Sequence, residues 1–372
     1  MRGLAGASVA FRADASLQIG TGHVMRCLTL AAALRERGAK CHFISRAHDG
    51  HLIDFIGRQG HAVTALPVPA GAAASPSTDH LDWLGSDVPT DAAQTVAALA
   101  GRRIDWLVVD HYALDADWES ALRPHAQRLL VIDDLADRPH ACELLLDQNL
   151  GRSEAHYAGR VPAACRVLAG PHFALLRPEF ATLREASLQR RGATSSARQL
   201  LLTMGGVDAQ DATGAVLRAL QALPPDSLPA EARITVVMGA AAPWLDRVRS
   251  QATNMRWPTE VLVGIGDMAQ RMAQSDLAIG AAGATAWERC CLGLPSLLVV
   301  LADNQAPGAA ALAASGAAVL LGSAAEVSDT LAPALNRLMH PPELATMSDA
   351  AAHIADGAGV GRVLAQMEAC HA

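Results

Sequence analysis

The sequence predicts an α/β protein of two Rossmann-like, doubly wound domains facing a central cleft. Three observations predict it. Short apolar runs alternate with stretches of helical periodicity through both halves of the chain. A glycine-rich loop, Gly20-Thr-Gly22-His23, joins the first of those runs to an amphipathic segment. A polar stretch without sheet character interrupts the alternation near the middle of the 372 residues. Half of the residues are hydrophobic, and the length suits two cores better than one.

In the first half the apolar runs are Val9–Phe11, Cys41–Ile44, Ala62–Ala65, Trp106–Val109, Leu129–Ile132, Leu144–Leu146 and Arg166–Leu168, with helical patterns between them. That is the rhythm of a parallel sheet with crossover helices. Residues 67–90, rich in Pro, Ala, Ser and Gly, form a loop of a length that is usually functional or mobile. The second half repeats the rhythm at Gln199–Met204, Ile234–Met238, Glu260–Val263, Leu277–Ile279 and Ser296–Leu301, although no sequence repeat relates the halves. The expected division is a domain over 1–177, a linker over 178–197 and a second domain over 198–372. Ligands of such sheets bind beyond the carboxyl ends of the strands, so the chemistry is sought in the loops that follow them.

Composition narrows the partners. A net charge of −7 and only 3 % aromatic residues argue against nucleic acid, which needs basic surface and stacking platforms, and leave room for a small anionic ligand in a locally positive pocket. The seven cysteines have no Cys-x-x-Cys spacing and read as reduced, mostly buried thiols. No apolar run approaches the ~20 residues that span a bilayer, so the expectation is a cytoplasmic protein without stable membrane association.

The first loop carries the sharpest signal. Val24, Cys27, Leu28, Ala31 and Leu34 recur at helical spacing and stop before Gly38, which places His23 in the first turn of that helix. There the helix dipole and unpaired N–H groups disfavour an imidazolium, so His23 should stay neutral and able to accept a proton. The alternative is a turn whose glycines merely permit positive φ, with His23 packing or capping. As a dinucleotide fingerprint the loop fails, because Met25 stands where a third glycine is required and no acidic ribose partner follows on a second strand.

Other post-strand loops add polar groups. Asp110-His111-Tyr112 and Asp133-Asp134 end two runs of the first half and are candidates to orient a sugar or a water. Asp133, Asp134, Asp137 and His140 match no metal signature, and Asp115-Ala-Asp117 opens a helical pattern for which capping is the better explanation. In the second half, the paired Gly205-Gly206 lets backbone N–H groups approach an anion, or is a common turn. Gly283-Ala-Thr285-Ala-Trp-Glu288 offers N–H groups and a hydroxyl to a diphosphate, and Glu288 is either an acceptor for two ribose hydroxyls or an ordinary helix-start carboxylate. Asp303-Asn304-Gln305 gathers three polar groups after a buried strand, where a helix N-cap also accounts for Asp303 or Asn304.

Together these motifs resemble one family, the UDP-sugar hydrolases of the pseudaminic acid pathway. The resemblance runs from about Phe11 to Val363. It rests on Arg12-x-Asp14 with Gly20-Thr-Gly22-His23-Val-Met-Arg26, on Val108-Val-Asp110-His-Tyr112, on Ile132-Asp133-Asp134, on Asp147-Gln-Asn149 and on Leu176-Arg-Pro-Glu-Phe180. It continues through Gly205-Gly206, Gly283-Ala-Thr285-Ala-Trp-Glu288 and Asp303-Asn304-Gln305. It implies a GT-B (glycosyltransferase-B) fold, UDP held chiefly by the second domain, and hydrolysis at C1 with inversion without metal or cofactor. His23 maps onto the family's catalytic histidine; Glu288 would bind ribose, and Gly205, Gly206, Gly283 and Thr285 would surround the diphosphate. The chain departs from the family at Val207 and Ala284, where a hydroxyl donor is more usual, leaving the backbone donors.

The chemistry agrees with the residues. Inverting glycosidases need one carboxyl to protonate a poor leaving group and one to activate water, whereas UDP already leaves well. One base near the anomeric carbon and fixed positive potential around the diphosphate remain necessary. His23 supplies the base, Asp14 is expected to orient it, and Arg12 and Arg26 are candidates for sugar or phosphate, Arg26 equally for the helix surface. A GT-B glycosyltransferase using a UDP-sugar donor is the alternative, similar to the peptidoglycan N-acetylglucosaminyltransferase; a non-catalytic nucleotide-sugar sensor is a third reading.

Overall fold

The computed structural model describes residues 3–68, 80–192, 196–240 and 242–371. They form two compact units, Met1–Leu175 with Gly359–Ala372, and Leu176–Ala358.

The first unit holds a seven-stranded, wholly parallel sheet of β1 (Ser8–Ala13), β2 (Lys40–Arg46), β3 (Ala62–Leu66), β4 (Ile104–Asp110), β5 (Ala126–Ile132), β6 (Leu144–Asp147) and β7 (Arg166–Ala169) in the order β3-β2-β1-β4-β5-β6-β7. Both faces are covered, which is why the strands read as continuous apolar runs. Val9 and Phe11 of β1 and Trp106 and Val108 of β4 pack on one side with Val24, Leu28 and Leu34 of the helix Gly22–Glu36. Ala10, Leu107 and Val109 face the other side with Trp118 and Leu122. Each fully buried Leu or Phe contributes about 1.5–3 kcal/mol of transfer free energy, so the sheet is held chiefly by these two layers. The order reverses between β1 and β4, where Ala13 is registered against Asp110. The loops after both strands therefore emerge together at a topological switch point.

The second unit repeats the plan with β8 (Gln199–Thr203), β9 (Arg233–Met238), β10 (Thr259–Val263), β11 (Leu277–Ala281), β12 (Ser296–Val300) and β13 (Ala318–Ser323), ordered β10-β9-β8-β11-β12-β13 and all parallel. Its switch point lies between β8 and β11, with Gly205-Gly206 after one strand and Gly283 to Thr285 after the other. The strand β13 was not expected, because Ala318-Val-Leu-Leu follows an alanine-rich helix without a change of composition.

Two boundaries differ from expectation. Residues expected as a linker form the helix Pro178–Gly192, and its arginines, which made the stretch look unstructured, reach the carbonyl ends of other helices. Arg191 donates to the carbonyls of Met272, Ser275 and Leu292, and Arg184 to those of Cys291, Ala352 and Ala355. The last helix, Gly359–His371, belongs to the first unit and not to the second: Val363, Leu364 and Met367 join the apolar layer beneath the helix Gly22–Glu36. Of the long loop at 67–90, residues 69–79 lie outside the described residues. The rest holds a short 3-10 turn, His80–Leu84, and the start of a helix, Val88–Ala98, whose first turn is capped by Asp87 accepting from the Thr90 N–H at 2.7 Å. Among the described residues no helix is long and apolar enough to cross a membrane.

Candidate active site

At the β1/β4 switch point the helix Gly22–Glu36 delivers His23 in its first turn. Asp110, the last residue of β4, lies fully buried beside it, with its Oδ1 2.6 Å from His23 Nδ1. A carboxylate only accepts, so Nδ1 carries a proton, and a ring protonated at Nδ1 alone presents a lone pair at Nε2. Among the described residues Nε2 has no hydrogen-bond partner. Arg26, one helical turn on, closes the back of the site: its Nε donates to Asp110 Oδ2 at 2.6 Å and its terminal nitrogens to Asp110 Oδ1 at 2.7 Å and Asp134 Oδ2 at 2.8 Å. Burial alone would raise the Asp110 pKa, but Arg26 and His23 outweigh it and hold the carboxyl well below its ordinary value. Tyr112 packs edge-on to His23 with ring centroids 4.6 Å apart and donates its hydroxyl to Asp134 Oδ2 at 2.8 Å. His80 and Trp83, from the long loop, pack tilted against Tyr112 with ring centroids at 5.0 and 5.9 Å.

Three expectations are corrected by this geometry. Asp14 does not orient His23, because its carboxylate is taken by Arg12 at 2.6 and 2.9 Å and by the Arg46 N–H at 2.7 Å. Arg12 is not available to a sugar or phosphate: it is fully buried and clamped between Asp14 and Asp91, which also binds Arg46 at 2.6 Å and the Trp118 indole at 3.0 Å. The two arginines and two aspartates form a closed ionic core, each charge desolvated and each paired. Asp110 and Arg26, expected to touch substrate, instead hold His23. Sequence reasoning missed Asp91 and Arg46, which lie on a helix and a strand without any motif, and missed the role of Asp110, whose distance of 87 residues from His23 hides the pair. His111 also faces Asp14, with Nε2 3.5 Å from Oδ2, while its Nδ1 accepts from the Ala113 N–H. Burial pushes the His111 pKa down to about 3.

The acidic groups weighed for a metal are engaged elsewhere. Asp133 accepts from Tyr157 and the Ala136 N–H and forms an ion pair with Arg138, and His140 pairs with Glu119 at 2.7 Å. Asp115 caps the helix Ala116–Leu122, as its position after a loop suggests. No group of three or more His, Cys, Asp or Glu among the described residues has the geometry to hold a metal ion.

In the second unit the loop after β8 places Gly205 at φ +89°, and the Gly206 carbonyl lies so close to Gly239 that a Cβ there would overlap it. The loop after β11 is underlain by a residue the sequence did not single out. Arg289 is 1 % exposed, donates to the Ala281 carbonyl at 2.7 Å and the Thr285 hydroxyl at 3.3 Å, and has no carboxylate within ion-pair distance among the described residues. Burial lowers its pKa to about 10, against the weaker opposing pull of Cys290 and Glu288 beside it in sequence. Gly280 is required there, since a Cβ would meet the Arg289 guanidinium and the Thr203 carbonyl. Glu288, on the same helix turn, is pushed up to about 7 by burial, against the pull of Arg177 at 3.7 Å. Gln305 accepts from the Leu301 N–H, and its amide nitrogen neighbours Gly283, so the loops after β11 and β12 meet. Asp303 is exposed and Asn304 half-buried in the same 3-10 turn.

Residues 200–359 match the family model of the glycosyltransferase family 28 C-terminal domain. Over 200 residues the chain is 26 % identical to the UDP-2,4-diacetamido-2,4,6-trideoxy-beta-L-altropyranose hydrolase of Campylobacter jejuni, a match covering 54 % of this chain and 61 % of that protein. Over 360 residues it is 29 % identical to the UDP-N-acetylglucosamine--N-acetylmuramyl-(pentapeptide) pyrophosphoryl-undecaprenol N-acetylglucosamine transferase of Thiobacillus denitrificans, covering 92 % and 93 %. The crystal structure of Acinetobacter baumannii MurG superposes with a TM-score of 0.67 at 17 % identity over 98 % of this chain and 99 % of that one. The chain has the GT-B fold, and residues 200–359 are similar to the glycosyltransferase family 28 C-terminal domain.

Proposed function

We propose that this protein hydrolyses a UDP-sugar, cleaving the anomeric C1–O bond of UDP-2,4-diacetamido-2,4,6-trideoxy-β-L-altrose with inversion and releasing UDP and the free sugar for pseudaminic acid synthesis. The observation that carries the reading is the His23–Asp110 pair, with Nδ1 at 2.6 Å from the carboxylate and Nε2 left to accept a proton. His23 Nε2 takes a proton from water as the water oxygen attacks C1; the C1–O bond breaks and its electrons leave on UDP. Asp110 stabilises the imidazolium that forms, and Arg26 keeps Asp110 ionised and in place. A base of this kind is worth about 10²- to 10⁴-fold.

UDP is assigned to the second unit. Glu288 accepts the ribose hydroxyls, Arg289 supplies a buried positive charge under the loop of Gly283 and Thr285, and the N–H groups of Gly205 and Gly206 add donors. Asp303, Asn304 and Gln305 complete that side, and Gly22 leaves open space beside His23, where a Cβ would meet nothing within 4 Å. The sugar nucleotide is the partner assigned.

A second reading, transfer of the sugar to an acceptor other than water, is favoured by one observation: the similarity to the N-acetylglucosamine transferase extends over 92 % of the chain. The assay that separates them supplies the purified sugar nucleotide with water alone, then with a lipid-linked sugar added. UDP release at the same rate in both supports hydrolysis. Release only with the acceptor overturns it.

A further inference from the structure

We propose that Cys142 and Cys165 form an oxidisable dithiol site, which a peroxide converts to a disulfide stapling the chain between β6 and β7. The two Sγ atoms are 3.7 Å apart across the amino ends of adjacent parallel strands. Cys142 lies just before β6 and Cys165 just before β7, and the backbone between them is pinned by the Arg166 N–H donating to the Glu143 carbonyl at 2.9 Å. The thiols are already neighbours, so a bond needs only side-chain rotation and a closer approach of the sulfurs.

The pair is asymmetric in the way a peroxide reaction requires. Cys142 is 2 % exposed, whereas Cys165 is only partly buried. Either thiol can donate in the contact between them; with Cys142 as donor the Cys165 pKa falls and that of Cys142 rises, with burial adding to the rise. The less buried residue thus carries the better thiolate, and the buried one is placed to resolve it. The Cys165 thiolate attacks one peroxide oxygen; the O–O bond breaks, giving a sulfenic acid and a hydroxide that leaves as water after taking a proton. Cys142 sulfur then attacks the sulfenic sulfur, and the expelled hydroxide takes the Cys142 proton as a second water. Two thiols and one hydrogen peroxide become one disulfide and two waters.

The bridge would close the segment that bears Asn149, Arg152 and Tyr157. Asn149 donates to Asp134 at 3.3 Å and Arg152 to the Asp134 carbonyl at 3.2 Å, so the stapled segment is the one that braces the Arg26 and Tyr112 partner behind His23. The inference is independent of the reaction proposed above, since it rests on the thiol geometry alone.

The test treats the reduced full-length protein with hydrogen peroxide, blocks remaining thiols, and maps peptides without reductant. The expected result is a linked Cys142–Cys165 peptide pair, lighter by two hydrogens than its reduced components and restored by dithiothreitol. In Cys142→Ser the reaction should stop at a Cys165 sulfenic acid trapped by dimedone, while in Cys165→Ser the buried Cys142 should remain unoxidised under the same treatment. Recovery of both thiols blocked and unlinked in the oxidised wild-type protein, or linkage of either one to another of the seven cysteines, would overturn the proposal.

Discussion

His23 Nδ1 and Asp110 Oδ1 lie 2.6 Å apart, although the two residues come from different loops of the sheet and are brought together only by the neighbouring carboxyl ends of β1 and β4. The contact fixes which ring nitrogen faces outward. Asp110→Asn keeps the size but allows the amide to donate, which favours the other tautomer and places a proton on Nε2. Turnover of the UDP-sugar should fall by about 10²- to 10⁴-fold while UDP affinity changes by less than about threefold. Single-turnover kinetics with UDP titration calorimetry separates the two quantities.

The closed core of Arg12, Asp14, Arg46 and Asp91 is structural. Asp91→Ala leaves the buried Arg12 with one carboxylate and the buried Arg46 with none, and should cost about 3–5 kcal/mol in urea unfolding. Burial opposes ionisation of Asp14 and Asp91, but their arginine partners outweigh it and hold both pKa values below the ordinary one. In the unfolded chain these groups titrate near about 3.9, so the pairs contribute fully above that pH and the contribution is lost as pH falls through the folded-state values. Wild-type unfolding free energy should drop steeply below about pH 4, and the drop should be shallower in Asp91→Ala.

Glu288 carries a pH signature of its own. Burial raises its carboxyl to about 7, and a ribose diol donates best to the ionised form, so affinity should rise as pH increases through that value and level off above it. Uridine is the cleaner probe, because it has no phosphate that titrates nearby. Calorimetry between about pH 5 and 8 should show proton release on binding; Glu288→Gln should flatten the profile and weaken affinity about 10- to 100-fold at the upper end.

The role proposed for Arg289 concerns the diphosphate and not the nucleoside. Replacing its guanidinium by a neutral chain in Arg289→Met should weaken UDP about 10-fold or more and leave uridine within about twofold, whereas Arg289→Lys should retain part of the discrimination. Equal weakening of both ligands would assign Arg289 to packing alone.

The fold was legible because a parallel sheet buried on both faces writes itself as apolar runs. Val9–Phe11, Trp106–Val109 and Leu277–Ile279 all lie within strands, and only the weakly contrasted Ala318–Ser323 escaped. The helix Pro178–Gly192 read as a linker because its arginines bond to distant carbonyls, a tertiary role with no local pattern. In the site, the Gly20-Thr-Gly22-His23 loop identified the histidine, but not its partner. Asp14 is near in sequence yet faces Arg12, while Asp110 is distant in sequence and adjacent across the sheet. Arg289 was invisible for a different reason: a helical arginine next to Glu288 reads as solvent-exposed, and only its burial shows that it lies beneath a loop. Residue type and strand-end position were therefore readable, and pairing between strands was not.

The role proposed for His23 is to activate water against the anomeric carbon. Its most direct measurement is turnover of the UDP-sugar in water enriched in the heavy isotope of oxygen, comparing wild type with His23→Asn and reading label in sugar and UDP by mass spectrometry. Label is expected in the free sugar and none in UDP, with the rate at least about 100-fold lower in His23→Asn and UDP affinity nearly unchanged. Label in UDP, or undiminished turnover without the imidazole, would contradict it.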